Sequence, residues 1–188
     1  MADTETTTNA DTDTFYSDWK TFCECMIARE QKRKGEGVPL TYKDYQPIDH
    51  INFTGTSGLE EFMNKYNPGP KIVDVGAGMG GACRILAQEY GAEPIGIEYT
   101  QTFVDLGNKI SRDLGLPEYL RWGDATEVLG VENADGAICY GVLNAMPRDL
   151  KVTAVKRMFD AIKPGGVLFM EDLTFTKPLE DFHPDRKA

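Results

Sequence analysis

A chain of 188 residues with 41% hydrophobic content holds enough apolar side chains for one ordinary core, and 30 acids against 20 bases give it a net charge of -10. That balance argues against nucleic acid or an anionic membrane surface as the main partner. No apolar run approaches the ~20 residues of a membrane span, and the acidic N-terminus resembles neither a signal nor a transit peptide, so a soluble, cytoplasmic protein is expected.

Residues 1–14 contain Asp3, Glu5, Asp11 and Asp13 and no base, with little to bury, and are expected to be a disordered acidic tail. From Phe15 to Lys34 the residues Phe15, Trp19, Phe22, Met26 and Ile27 recur at helical spacing, so the pattern predicts an amphipathic helix ended by Gly35, Gly37 and Pro39. Its basic end, Arg29, Lys32, Arg33 and Lys34, reads as a solvated helix terminus. A Tyr-rich connector with Tyr42, Tyr45 and Phe53 follows; Tyr42 or Tyr45 could be core or part of a lid. Ser57 and Glu60 read as a capping box opening a short helix to Tyr66, so residues 15–66 form a helical extension and lid.

From residue 67 to 188 the pattern becomes βαβ, and it predicts a doubly wound parallel sheet. The expected strands are Lys71–Val75, Glu93–Ile97, Tyr119–Trp122, Gly136–Tyr140 and Gly166–Glu171, with helices near Gly81–Tyr90, Gln101–Leu114 and Asp149–Ile162. Cys23, Cys25, Cys83 and Cys139 are scattered, and only two histidines exist, His50 and His183; neither a disulfide framework nor a metal site is expected.

The strongest signal is Lys71-Ile-Val-Asp-Val-Gly-Ala-Gly-Met-Gly-Gly81: a strand, a glycine turn and a helix start that aims free N–H groups at a ligand. Gly76, Gly78 and Gly81 alone also satisfy a dinucleotide pattern, and Glu98 stands where a ribose-binding acid belongs. Asp74 weighs toward a zwitterionic amino-acid cofactor, because a carboxylate there repels a pyrophosphate and attracts an ammonium.

The segment Val-Asp-Val-Gly-Ala-Gly-Met-Gly-Gly resembles motif I of the class I S-adenosylmethionine-dependent methyltransferases. Glu98 in Gly-Ile-Glu-Tyr resembles the acid that binds the ribose hydroxyls, and Asp124 with Ala125 resembles the adenine-contacting pair. Lys163-Pro-Gly-Gly166 resembles the turn into the fifth strand. The resemblance implies a Rossmann-like fold and a cofactor set of Asp74, Gly76, Ala77, Gly78, Glu98, Tyr99, Asp124, Ala125 and Tyr140. It also implies S-adenosylmethionine as cofactor, with S-adenosylhomocysteine as product.

Phe53-Thr-Gly-Thr-Ser-Gly-Leu-Glu60 and the paired Gly80-Gly81 look most like the small-molecule branch, which includes phosphoethanolamine and sarcosine or dimethylglycine N-methyltransferases. The resemblance therefore implies a small, amine-type acceptor. Two departures stand against it. After the fourth strand, where that branch carries an Asp and a His, Tyr140-Gly-Val-Leu-Asn-Ala-Met-Pro147 offers only Tyr140 and Asn144 as catalytic candidates, each equally readable as packing or turn; Glu171 and Asp172 are the nearest acids. The last two strands of a seven-stranded class I sheet are also missing, which leaves Val167, Leu168, Phe169 and Met170 on an open edge that another chain or a second copy is expected to cover. A catalytically inactive structural or assembly subunit is the alternative.

Overall fold

The computed structural model describes residues 9–49 and 55–173, with side chains from Asp18 onward. Five parallel strands, β1 (Lys71–Val75), β2 (Glu93–Glu98), β3 (Leu120–Trp122), β4 (Ala134–Tyr140) and β5 (Ile162–Glu171), lie in the order β3-β2-β1-β4-β5. This is the doubly wound Rossmann-like sheet expected, with β5 starting four residues before the expected Gly166. The chain order reverses direction between β1 and β4, so a crevice opens beyond their carboxyl ends.

Alternation along β1 divides the core. Val73 and Val75 face a cluster with Ala137, Cys139, Ala154 and Met158, beneath helix α6 (Arg148–Ala161). Ile72 faces the other cluster, with Leu59 and Phe62 from the N-terminal region and Ala82, Ile85 and Leu86 of α4 (Gly81–Tyr90). Helix α5 (Gln101–Asp113) lays Phe103, Leu106 and Ile110 against Cys23, Tyr45, Ile48 and Met79.

The N-terminal region departs from the sequence reading in three ways. Helix α1 runs Asn9–Lys34, so residues 9–14, expected in a disordered tail, are helical; an acid-rich start suits the electropositive end of a helix. The connector contains a second helix, α2 (Tyr42–Asp49). Asp44 accepts hydrogen bonds from the Thr41 amide and hydroxyl, both at 2.6 Å, and the Thr41 carbonyl accepts from the Asp44 amide at 2.9 Å, which caps the first turn. Helix α3 (Ser57–Glu61) is preceded by Thr56 rather than capped by Ser57. The Thr56 hydroxyl bonds the Glu60 carboxylate at 2.9 Å in place of a backbone amide, and a single π turn, Phe62–Tyr66, continues the chain.

What docks this region onto the sheet is Arg84. Its side chain is 1% exposed, and its guanidinium donates to Asp49 of α2 at 2.5 Å, the Met79 carbonyl at 2.6 Å, the Ser111 hydroxyl at 3.0 Å and the Gly107 carbonyl at 3.2 Å. At Gly81 the backbone of α4 lies so close to Asp49 that any Cβ would sit 2.6 Å from its carboxylate.

The β5 edge away from β4 has no partner strand among the described residues. Val167, Leu168 and Phe169 are only half-buried, Met170 is exposed, and Val152 and Phe159 of α6 are exposed nearby in the chain order. No described helix is long and apolar enough to cross a membrane.

Arg84→Met leaves the Asp49 carboxylate buried without its cation and should cost about 3–5 kcal/mol in urea unfolding. The double variant Asp49→Leu, Arg84→Met removes both charges and should recover most of that loss.

Candidate functional site

The glycine loop turns out of β1 because Gly76 takes φ 75° and donates its amide to the Ile97 carbonyl at 2.8 Å, with Ala77 donating to the same oxygen at 3.1 Å. A Cβ on Gly76 would lie 2.2 Å from Val142 Cγ2, so the missing side chain is replaced by the segment that follows β4. Gly78, at φ 54°, is different: nothing stands within 4 Å of where its Cβ would be, and it faces open space.

That space is a cavity of about 450 Å³ at the carboxyl ends of the strands, a size ordinary for small-molecule sites. Seven of the nine residues in the expected cofactor set line it: Gly76, Gly78, Glu98, Tyr99, Asp124, Ala125 and Tyr140. Asp74 and Ala77 do not. Asp74 shares the face of β1 that carries Ile72, so its side chain turns toward α4, is 2% exposed, and accepts a hydrogen bond from the Cys83 thiol at 3.5 Å. Its expected direct hold on a ligand is therefore replaced by a charge placed behind the loop.

Glu98 is the hinge of the site. One carboxylate oxygen accepts from the Gly78 amide at 2.9 Å and the other from the Thr100 amide at 2.7 Å, so the residue braces the glycine loop to the turn entering α5 while lining the cavity. Burial raises its pKa above the usual carboxylate range, opposed by the Thr100 and Gly78 amides. The Thr100 hydroxyl and the Tyr99 amide also face the carboxylate and oppose the rise. Asp124 folds its own turn by accepting from the Thr126 amide at 2.8 Å and hydroxyl at 2.7 Å. Tyr99 is 57% exposed at the rim, its ring 6.3 Å from that of Trp122, and offers a flat apolar face.

The catalytic candidates separate. Tyr140 lines the cavity, and its ring packs 5.9 Å from that of Phe169; burial, then the charges of Asp74 and Glu171, raise its pKa, so it stays a protonated phenol that can donate or accept a hydrogen bond but cannot serve as a base. Asn144 is exposed on a 3₁₀ turn (Leu143–Ala145), outside the cavity, and its backbone amide is held by Asp172 at 3.0 Å. From this turn Val142, Ala145 and Met146 reach the cavity, and Asn144 takes the turn position that was its other reading. Tyr42 bonds Glu89 at 3.1 Å and Tyr45 is buried against α5, so neither forms a lid over the cavity. His50, Phe53 and His183 lie outside the described residues. Among the described residues no cluster of His, Cys, Asp or Glu could hold a metal.

Among the described residues no Lys, Arg or His lines the cavity, and Glu98 and Asp124 do. A diphosphate would meet these carboxylates with no cation to offset them, whereas a ribose, an adenine and a cationic amino-acid moiety find acceptors and an aromatic face. The residues present therefore fit S-adenosylmethionine better than a dinucleotide.

Burial, assisted by the nearby charge of Glu98 and opposed by the Cys83 thiol, pushes Asp74 up to about 7. Because this folded value lies above the unfolded one, the penalty is absent below about pH 4, grows as pH rises and is complete above about pH 7. Asp74→Asn should therefore leave stability unchanged at acid pH and raise it at pH 8, by at most on the order of 4 kcal/mol, in unfolding curves collected across that range.

Known proteins resemble this chain across the sheet. Residues 72–166, just over half of the chain, match the family described as Methyltransferase domain. A phosphoethanolamine N-methyltransferase of Plasmodium falciparum is 30% identical over 151 residues, covering 76% of this chain and 54% of that protein. The 2-methyl-6-phytyl-1,4-hydroquinone methyltransferase of Synechocystis is 29% identical over 140 residues, covering 72% and 42%. The solved structure of PKMT2 from Rickettsia typhi, in complex with AdoHcy, superposes with a TM-score of 0.51 at 20% identity, covering 55% of this chain and 21% of that one. The chain spans about half or less of the length of these proteins. It belongs to the S-adenosylmethionine-dependent methyltransferase family.

Proposed function

We propose that this chain binds S-adenosylmethionine in the cavity beyond β1, β2, β3 and β4 and serves methyl transfer to a small, amine-type acceptor. The observation that carries the reading is the convergence of the glycine loop, Glu98, Asp124 and Tyr140, which are far apart in sequence, on one cavity. The bound cofactor supplies a methyl group on a cationic sulfur, open to in-line displacement by an acceptor lone pair. The chain supplies position and surroundings. Glu98 faces the ribose hydroxyls, Ala125 and Asp124 border the adenine with Tyr99 across its face, and the loop at Gly78 leaves room for the amino-acid end. Asp74, Glu98 and Asp124 together make the region electronegative, which favours a cationic ligand. Tyr140 stands on the wall with its hydroxyl buried toward Gly58, so it shapes the cavity rather than reaching into it.

The amine acceptor is supported by the likeness to a phosphoethanolamine N-methyltransferase. A second reading, a non-catalytic assembly subunit, is supported by one observation: the ten-residue β5 has an unpaired edge among the described residues. In that reading another chain, or a second copy, pairs with β5. A monomer at high concentration, with the β5 amides open to hydrogen exchange, would count against it.

Calorimetric titration with S-adenosylmethionine and S-adenosylhomocysteine tests the cofactor reading. Both should bind, and an Asp74→Ala, Glu98→Ala double variant that stays folded should lose binding. The single variant Glu98→Gln, which loses the charge and one acceptor oxygen, should weaken binding at least roughly tenfold, corresponding to about 1.5–3 kcal/mol for a hydrogen bond to a charged group. A folded chain that binds neither ligand would establish the subunit reading in its place.

A further inference from the structure

We infer that the acceptor carries an apolar body, and no phosphate or carboxylate group, into the half of the cavity formed after β4. The inference rests on the methyl-transfer reading of this cavity and concerns its other half.

The wall is polarised along the chain. Glu98, Thr100, Asp124 and Thr126 supply the polar side chains at the ends of β2 and β3. From Val142 onward the wall is Val142, Ala145, Met146, Pro147 and Leu150, with no polar side chain in that run. The arrangement is built rather than accidental. The 3₁₀ turn Leu143–Ala145 is pinned by Asp172 through the Asn144 amide, and the turn is continued into α6 by the Leu150 amide bonding the Pro147 carbonyl at 3.1 Å. Val142, Leu143 and Met146 pack on the sheet cluster from behind, which fixes the wall, while Leu150 remains 39% exposed at the start of α6. An exposed leucine on a cavity wall gains from an apolar occupant and gains nothing from an ionic one.

Charge points the same way. Among the described residues no Lys, Arg or His lines any part of this cavity, while Glu98 and Asp124 do and Asp74 lies behind it. A phosphate monoester would enter this field with three carboxyl groups near and no cation to bind it. An amine on an apolar frame suits both the field and the wall: it arrives as the cation, gives its proton to solvent, and attacks as the neutral amine. The acceptor class is thus set apart from phosphoethanolamine, the acceptor in the name of the Plasmodium falciparum relative.

Two primary amines on the same two-carbon spacer isolate the question. The full chain is first saturated with S-adenosylhomocysteine, whose own titration reads the cofactor site, and is then titrated with phenethylamine and with phosphoethanolamine. Phenethylamine should bind at least tenfold more tightly. Leu150→Lys, which places a cation on the exposed part of the wall, should reduce that preference at least fivefold. Phosphoethanolamine binding as tightly as phenethylamine, neither amine binding the loaded chain, or a preference untouched by Leu150→Lys would each overturn the inference while the cofactor site stood. Failure of S-adenosylhomocysteine to bind would overturn it together with the reading on which it rests.

Discussion

The structure depends on one buried cation. Arg84 is taken out of water inside α4, and such a burial is tolerated only where acceptors replace the lost solvent. The acceptors come from four places: the carboxylate of Asp49 in α2, the carbonyls of Met79 in the glycine loop and Gly107 in α5, and the hydroxyl of Ser111. A single side chain therefore ties the N-terminal helices, the ligand loop and the neighbouring helix into one arrangement. Burial lifts Asp49 to about 6 against the pull of Arg84, which shows how far from water the pair lies. An apolar pair could fill the same volume at equal or better stability, but it would not fix the Met79 carbonyl and hence the path of the glycine loop.

On this base the parallel sheet does what its topology dictates. The strands all point their carboxyl ends the same way, and the change of direction between β1 and β4 leaves the crevice there uncovered by helices. Glu98 then serves two purposes at once. It satisfies two backbone amides that would otherwise be orphaned in a half-buried loop, and in doing so it holds its carboxylate at the place where a ribose would need it. The organisation of the site is thus complete before any ligand arrives.

Much of this was legible in the sequence, because it rests on local signals. Strand β1 runs between Pro70 and Gly76, β3 ends at Gly123 and β4 runs between Asn133 and Gly141, and the glycine loop, Glu98 and Asp124 announce themselves by spacing from those strands. What was not legible depends on tertiary partners. Helix α2 hides in a Tyr-rich segment whose Thr41-x-x-Asp44 cap is a short motif, outweighed by Pro47. The direction of Asp74 follows from the alternation of β1 once Ile72 is known to face α4, which the run Ile-Val-Asp-Val does not reveal. Asn144 looked polar and available, yet the 3₁₀ turn rotates it to solvent. Arg84 gave no sign: a lone arginine in an amphipathic helix is ordinarily read as surface.

The contact between Gly76 and Val142 ties together two things usually thought of as separate. The glycine turn after β1 and the wall after β4 touch where Gly76 lacks a Cβ. A drift in one surface must be matched by the other, so the two halves of the cavity cannot be reshaped independently. Substitution is therefore narrow at residue 142, which fills the space of the missing side chain, and wider at residue 150, which is partly exposed at the start of α6.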